Sequence, residues 1–315
     1  MSLPVIPFVD NAGERTYAAW VAALQAAMPD ERIVGFRQLG AADKNLATLA
    51  IVANPDPADL RQLPQLRWVH SVWAGVERLV ADLGDTPLQI VRLVDPQMAE
   101  TMAEAALAWT LYLHRDMPAY ARQQRSNTWR ALPHVRPENR GVGLLGLGSL
   151  GAASAQRLLA AGFRVSGWSR TPKSLPGIAS FAGADGLAAM LRQTDILICL
   201  LPLTAQTRSL LDRDALARLP QGAALINFAR GPIVVDADLR AALDSGHLDH
   251  AVLDVFDAEP LPVEQWHWQH PRVTVLPHCT AQTDLPSAAA IVAAAVRRYR
   301  ENGIVPGNVD PGRGY

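Results

Sequence analysis

Cysteine is nearly missing from this chain: Cys199 and Cys279 are the only two in 315 residues. Two thiols cannot build the disulfide framework of a small secreted domain, so a reducing compartment, the cytoplasm, is expected. Each cysteine falls in a segment that reads as buried or catalytic. An excess of either charge is missing too, because 29 Lys and Arg against 30 Asp and Glu leave a formal charge of −1. Nucleic acids and anionic membrane surfaces select a basic excess, so neither partner is expected. No apolar run approaches the ~18 residues of a membrane span, and Met1-Ser2-Leu3-Pro4 lacks the basic start and apolar core of a signal peptide. Repeats and low-complexity tracts are also lacking. Trp266-His267-Trp268-Gln269-His270 has metal-like letters without a carboxylate or cysteine cluster at ligand spacing. It reads as loop and packing, and no metal is expected.

What is present is an alternation of short apolar runs and amphipathic stretches, long enough for about two domains. In residues 1–98 strands are expected over 5–9, 48–52 and 68–72, with a helix over 16–28 closed by Pro29. That pattern suggests a small α/β domain with a largely parallel sheet. A long, Ala-rich helical stretch is expected over 99–124, then a connecting loop over 127–140 containing Pro133 and Pro137. The second domain reads more clearly. Strands are expected over 142–145, 164–168, 196–200, 224–228, 250–254 and 273–276, with helices over 150–161, 187–192, 212–218 and 236–244. Several of these strands are continuous apolar runs, as required when helices cover both faces of a parallel sheet. Six strands with helical crossovers make a doubly wound, Rossmann-like sheet. A final helix over 287–302 is expected to pack back on the first domain.

Gly146-Leu147-Gly148-Ser149-Leu150-Gly151 follows an expected strand and opens an expected helix, the context in which a G-x-G-x-x-G run has meaning. Gly146 permits the tight turn, Gly148 lets backbone approach a pyrophosphate, and Gly151 lets helix and strand pack closely. An NAD site usually carries Asp or Glu about 20 residues later, for the ribose 2′-hydroxyl. Here that place reads Trp168-Ser169-Arg170-Thr171-Pro172-Lys173, with two cations, two hydroxyls and no carboxylate. Arg170 can pair with a 2′-phosphate and Lys173 adds a point charge, so NADP(H) is expected over NAD(H), which stays possible. Leu201, Pro202, Phe228 and Ala229, at later strand ends, complete the candidate cofactor contacts.

Three ionisable residues fall in the turns after later strands: Arg230, Glu259 and His278. Ligands of open α/β sheets bind beyond the carboxyl ends of the strands, so all three should converge near the nicotinamide. Taken singly, such an Arg is more often a surface ion pair, a Glu before Pro ends a segment, and a lone His is structural. Together they suit the reduction of a keto acid. Arg230 holds the carboxylate and polarises the carbonyl, His278 donates the proton, and Glu259 orients the imidazole and favours its charged form.

These residues carry a family pattern. The chain resembles the D-isomer-specific 2-hydroxyacid dehydrogenases, and among them the glyoxylate/hydroxypyruvate reductase A branch, over essentially its whole length. The most specific stretches are 168–183 (WSRTPKSLPGIASFAG), 227–231, 242–246 (ALDSG), 253–262 (LDVFDAEPLP) and 270–278, with a similar ending Arg313-Gly314-Tyr315. The resemblance implies an Arg–Glu–His set at Arg230, Glu259 and His278, and a turn at Ala74 and Gly75 offering amides to the substrate carboxylate. It also implies a contact from Asp254 to the nicotinamide amide, and a homodimer. The fold it implies is two Rossmann-like doubly wound domains, with the cofactor domain (99–282) inserted in a substrate domain (1–98 and 283–315). Two departures bear on the pocket: Cys279 and Thr280 follow the His, and Ala53-Asn54-Pro55 lacks an aromatic. The expected substrate is a small 2-keto or 2-hydroxy acid. Two other readings compete, an NAD-dependent dehydrogenase of a larger 2-hydroxy acid and a non-catalytic dinucleotide sensor.

Overall fold

A computed structural model describes residues 5–310 apart from Ala12, Asp85 and Asn308. The start at Met1 and the ending Arg313-Gly314-Tyr315 lie outside the described residues. The chain divides into two units, one of residues up to Gln97 together with those from Thr283, the other Met98–Gln282.

The first unit holds a five-stranded parallel sheet of order β2-β1-β3-β4-β5. Its strands are β1 (Ile6–Asp10), β2 (Ile33–Gly35), β3 (Leu49–Ala53), β4 (Trp68–Ser71) and β5 (Gln89–Val91), joined through α1 (Glu14–Ala27), α2 (Ala41–Leu46), α3 (Pro57–Leu60) and α4 (Glu77–Leu83). Every residue of β1 and β3 is buried, as in strands covered on both faces. Helix α11 (Leu285–Asn302), which ends the described chain's regular structure, packs on α1 in this unit. Arg300 fixes it there through paired bonds to Glu31 at 2.9 and 3.0 Å. The strands β2 and β5, three residues each, are not expected from the sequence.

Helix α5 (Pro96–His114) starts at the boundary and runs into the second unit, where α6 (Met117–Arg125) follows. The helical stretch expected over 99–124 is made of two helices. Asp116 turns left-handed at φ 54° and Pro118 follows inside the next first turn, where it can start a helix but not continue one. The sheet is seven-stranded and all parallel, not six-stranded, with order β12-β11-β10-β9-β6-β7-β8. The strands are β6 (Gly141–Leu145), β7 (Arg164–Trp168), β8 (Ala179–Phe181), β9 (Ile196–Cys199), β10 (Ala223–Asn227), β11 (Leu248–Leu253) and β12 (Val273–Val275). The extra strand β8 is a short, partly exposed edge without an apolar run. Crossovers run through α7 (Ser149–Ala160), α8 (Gly183–Leu191), α9 (Arg213–Ala217) and α10 (Asp236–Asp244). Strands β6, β9 and β10 are buried throughout. Strand order reverses between β6 and β9, so the carboxyl edge opens there, where doubly wound sheets bind ligands.

Candidate active site

The turn after β6 is shaped by its three glycines. Gly146 sits at φ +103°, and its N–H donates to the Trp168 carbonyl at 2.8 Å. A Cβ on Gly151 would lie 1.8 Å from the Gly146 carbonyl oxygen, so strand and helix approach as closely as they do only because no side chain intervenes. Gly148 caps α7, and a Cβ built there meets nothing within 4 Å. No side chain caps that helix end and no acidic residue occupies its first turn. The result is an open space in front of a helix N-terminus with its amides and its positive dipole end, which fits the pyrophosphate of a dinucleotide. Leu147 is buried in the core and Leu150 packs against it, so what this turn presents is chiefly backbone.

Beyond β7 the chain turns outward. Ser169 is buried and donates from Oγ to the Thr171 carbonyl at 2.7 Å, and its N–H reaches the Phe181 carbonyl at 3.1 Å. Arg170 and Lys173 are exposed on the same turn, with the Lys173 N–H held by Ser180 Oγ at 3.0 Å. The Trp168 indole donates to the Gly183 carbonyl at 2.8 Å and packs against the core. Leu201, Phe228 and Ala229 are buried at the ends of β9 and β10, while Pro202 is half-buried.

The three ionisable residues lie at the same edge. At the end of β10 the buried Asn227 accepts the Ala229 N–H (3.1 Å) and donates to the Arg230 carbonyl (3.1 Å), so one amide side chain sets the turn that presents the guanidinium. Arg230 Nη1 also donates to the Ala229 carbonyl at 2.6 Å. Beyond β11, Glu259 accepts the Phe256 N–H on Oε1 at 2.9 Å and meets His278 Nδ1 with Oε2 at 2.7 Å. His278 has a left-handed backbone, φ 49°, which a non-glycine residue holds only when its surroundings fix it. Asp254 supplies that fixing. It is 3% exposed, and its two carboxylate oxygens accept the N–H groups of Cys279 (2.8 Å) and Thr280 (3.1 Å).

The electrostatics follow from this geometry. The hydrogen bond to Glu259 raises the His278 pKa; burial opposes it, the charges of Glu259 and Asp254 add to it, and Arg230 opposes it. Burial pushes the Glu259 carboxyl up, yet the bonds from His278 and the Phe256 N–H outweigh it, helped by the charges of His278 and Arg230, so its pKa is lowered. Glu259 thus stays an anion, and His278 holds its proton to higher pH than a free imidazole. Burial drives the Cys199 thiol up to about 12, which leaves it inert.

Other candidates fall elsewhere. Ala74 and Gly75 belong to the first unit, in the partly exposed turn between β4 and α4, where the Trp73 N–H donates to Ser71 Oγ at 3.1 Å. His267, expected in a packing loop, is buried and bonded to Asp236 at 2.7 Å. The positioning roles of Asn227 and of the Asp254 carboxylate escape a linear reading, because their bonds close turns that the sequence does not display.

The model of the D-isomer-specific 2-hydroxyacid dehydrogenase NAD-binding domain matches residues 107–280. Among solved structures, a D-isomer-specific 2-hydroxyacid dehydrogenase from Xanthobacter autotrophicus Py2, in complex with NADPH and MES, is 40% identical. The match covers 98% of this chain and 99% of that one, with a TM-score of 0.91. An NADPH-dependent glyoxylate/hydroxypyruvate reductase from Sinorhizobium meliloti, with NADP and sulfate, is 31% identical over 99% of this chain and 100% of its own, at a TM-score of 0.90. A family protein from Klebsiella pneumoniae 342 is 35% identical over 99% of both chains, at 0.89.

Proposed function

Because the chain belongs to the D-isomer-specific 2-hydroxyacid dehydrogenases, enzymes that depend on NAD(P), we propose that it reduces a small 2-keto acid, of the glyoxylate or hydroxypyruvate type, to the D-2-hydroxy acid with NADPH. The observation that carries this reading is the Glu259–His278 pair, 2.7 Å apart at the sheet edge that also bears Arg230 and the glycine turn. A dinucleotide sensor has no need of a proton donor held in this way.

NADPH, when bound, supplies the hydride that reduces the carbonyl carbon. The amides of residues 148–151 hold its pyrophosphate, and Arg170 with Lys173 takes the 2′-phosphate, the role favoured by a β7 end without a carboxylate. The relatives crystallised with NADPH or NADP support the same choice. Arg230 pairs with the substrate carboxylate and draws electron density from the carbonyl oxygen. With Nδ1 engaged by Glu259, His278 turns Nε2 to the substrate oxygen and releases the proton there as negative charge develops. The half-exposed ring then recovers a proton from water.

Loss of NADPH absorbance across a panel of glyoxylate, hydroxypyruvate, pyruvate and bulkier 2-keto acids tests the reading. Rapid turnover of the small acids is expected, with NADPH preferred. A clear preference for NADH would refute the roles of Arg170 and Lys173, and silence across the panel with NADPH bound would refute the reductase.

A further inference from the structure

The loops that carry Arg230 and Glu259 meet twice. The first meeting is backbone on backbone: a Cβ on Gly231 would fall 2.2 Å from the Phe256 carbonyl carbon. The second lies farther along both loops. Asp236, the first residue of α10, takes His267 Nε2 on Oδ1 at 2.7 Å and the Trp266 indole N–H on Oδ2 at 2.8 Å. Between the two meetings is a cavity of about 170 Å³ whose lining includes Gly231, Val234, Asp236, Phe256, Asp257 and His267. The loops are therefore not packed solid there, and the two meetings hold them together.

The His267 side chain is 7% exposed. It stacks on Trp266 at 4.1 Å and stands edge-on to the Phe256 ring at 5.2 Å. Phe256 is the residue whose N–H holds Glu259 Oε1. Two contacts thus lead from His267 to the carboxylate that holds His278. The buried imidazole is bonded through Nε2 to Asp236 while its Nδ1 has no partner among the described residues, so that one bond and the two flanking rings set its place. Burial pushes the Asp236 carboxyl up, but the bonds from His267 and Trp266 outweigh it, and the carboxylate persists as acceptor.

We propose that Asp236 and His267 are positioning residues, which lock the loop of Glu259 onto the loop of Arg230 and so keep Glu259 in line with His278. The proposal rests on the reading of Arg230, Glu259 and His278 given above. Asp236, Asp257 and Arg240 lie about the lock, whereas Arg230, Asp254 and Glu259 face His278.

The test uses the full chain with NADPH and the best keto acid. In His267→Leu, kcat is expected to fall about tenfold while the Kd for NADPH and the KM for the keto acid stay within about twofold. The basic limb of the pH profile moves to lower pH, because a loosened Glu259 supports the charged imidazole less well. His267→Gln, whose amide can still donate to Asp236, restores most of kcat. Unchanged kcat and pH limb in His267→Leu, or a Gln variant no better than Leu, overturns the proposal. Should the Leu variant fail to fold, Asp236→Asn keeps the volume and loses one acceptor; it shifts the limb the same way if the lock is real, and leaves it in place if not. Glu259→Gln separates the layers. No shift in that variant sinks the Glu–His reading itself, whereas a shift there with none in His267→Leu sinks the lock alone.

Discussion

At the scale of single residues the chemistry depends on one short contact, Glu259 to His278 at 2.7 Å. The raised His278 pKa sets the sign of the pH response. The reductive step needs the charged imidazole, so turnover is retained below that pKa and lost as pH rises through it. Glu259→Gln removes the main cause of the shift, and the basic limb of kcat/KM should move to lower pH. His278→Asn should cost about 10²–10⁴-fold in kcat while NADPH affinity is nearly kept; a matching collapse of affinity would place His278 in cofactor binding instead. Arg170 gives a third prediction. Arg170→Ala should lower kcat/KM with NADPH about ten- to hundredfold, as expected for lost charge-assisted bonds, and leave NADH turnover little changed. Equal losses with both cofactors would show that Arg170 does not read the 2′-phosphate.

At the scale of elements, the strand–turn–helix β6–α7 separates two uses of glycine. Gly148 faces open space at an ordinary φ of −74°, whereas Gly151 sits 1.8 Å, at Cβ distance, from the Gly146 carbonyl oxygen. Gly148→Ala should therefore leave the melting temperature nearly unchanged and weaken NADPH binding, because its methyl occupies the space of the pyrophosphate. Gly151→Ala should lower the melting temperature as well, since overpacking at a closed site costs about 1–3 kcal/mol. Equal melting losses in the two variants would contradict this division. Elements of four residues or more with a strong apolar pattern are legible in the sequence itself; β7 and α10 fall at their expected bounds. The helices α2 and α4 also go unread, and the missed strands are short. Strands β2, β5 and β8 have three residues each; β12 is as short but lies in the apolar run 273–276, which makes it readable. The break between α5 and α6 turns on the left-handed conformation of Asp116, which the Ala-rich helical pattern of the surrounding sequence conceals.

At the scale of the molecule, each unit has its own parallel sheet and its own buried core, and the chain leaves the first unit near Gln97 to return at Thr283. The return is secured by α11, through Arg300 to Glu31 and through the Tyr299 ring 5.0 Å from Trp68. Arg300→Ala should destabilise the first unit by about 2 kcal/mol, because it leaves a carboxylate with 11% of its side chain exposed without its partner. Thermal melting without NADPH checks this, and an unchanged melting temperature would make the pair incidental.

The order of letters alone determined a good deal. Buried parallel strands must be continuous apolar runs, and a glycine fingerprint must follow such a strand to mean anything, so the doubly wound fold and the dinucleotide turn were both visible at Gly146, Gly148 and Gly151. Composition likewise spoke against a basic nucleic-acid binder, because net charge is a sum over residues and needs no fold. What only the tertiary structure decided is which side chains meet. Glu259 and His278 are brought to 2.7 Å, Asp254 closes the turn at Cys279, and Asp236 reaches His267 across two loops. Those contacts join strand ends far apart in sequence, and parallel strands pair through crossovers whose lengths carry no record of the hydrogen bonds they make possible.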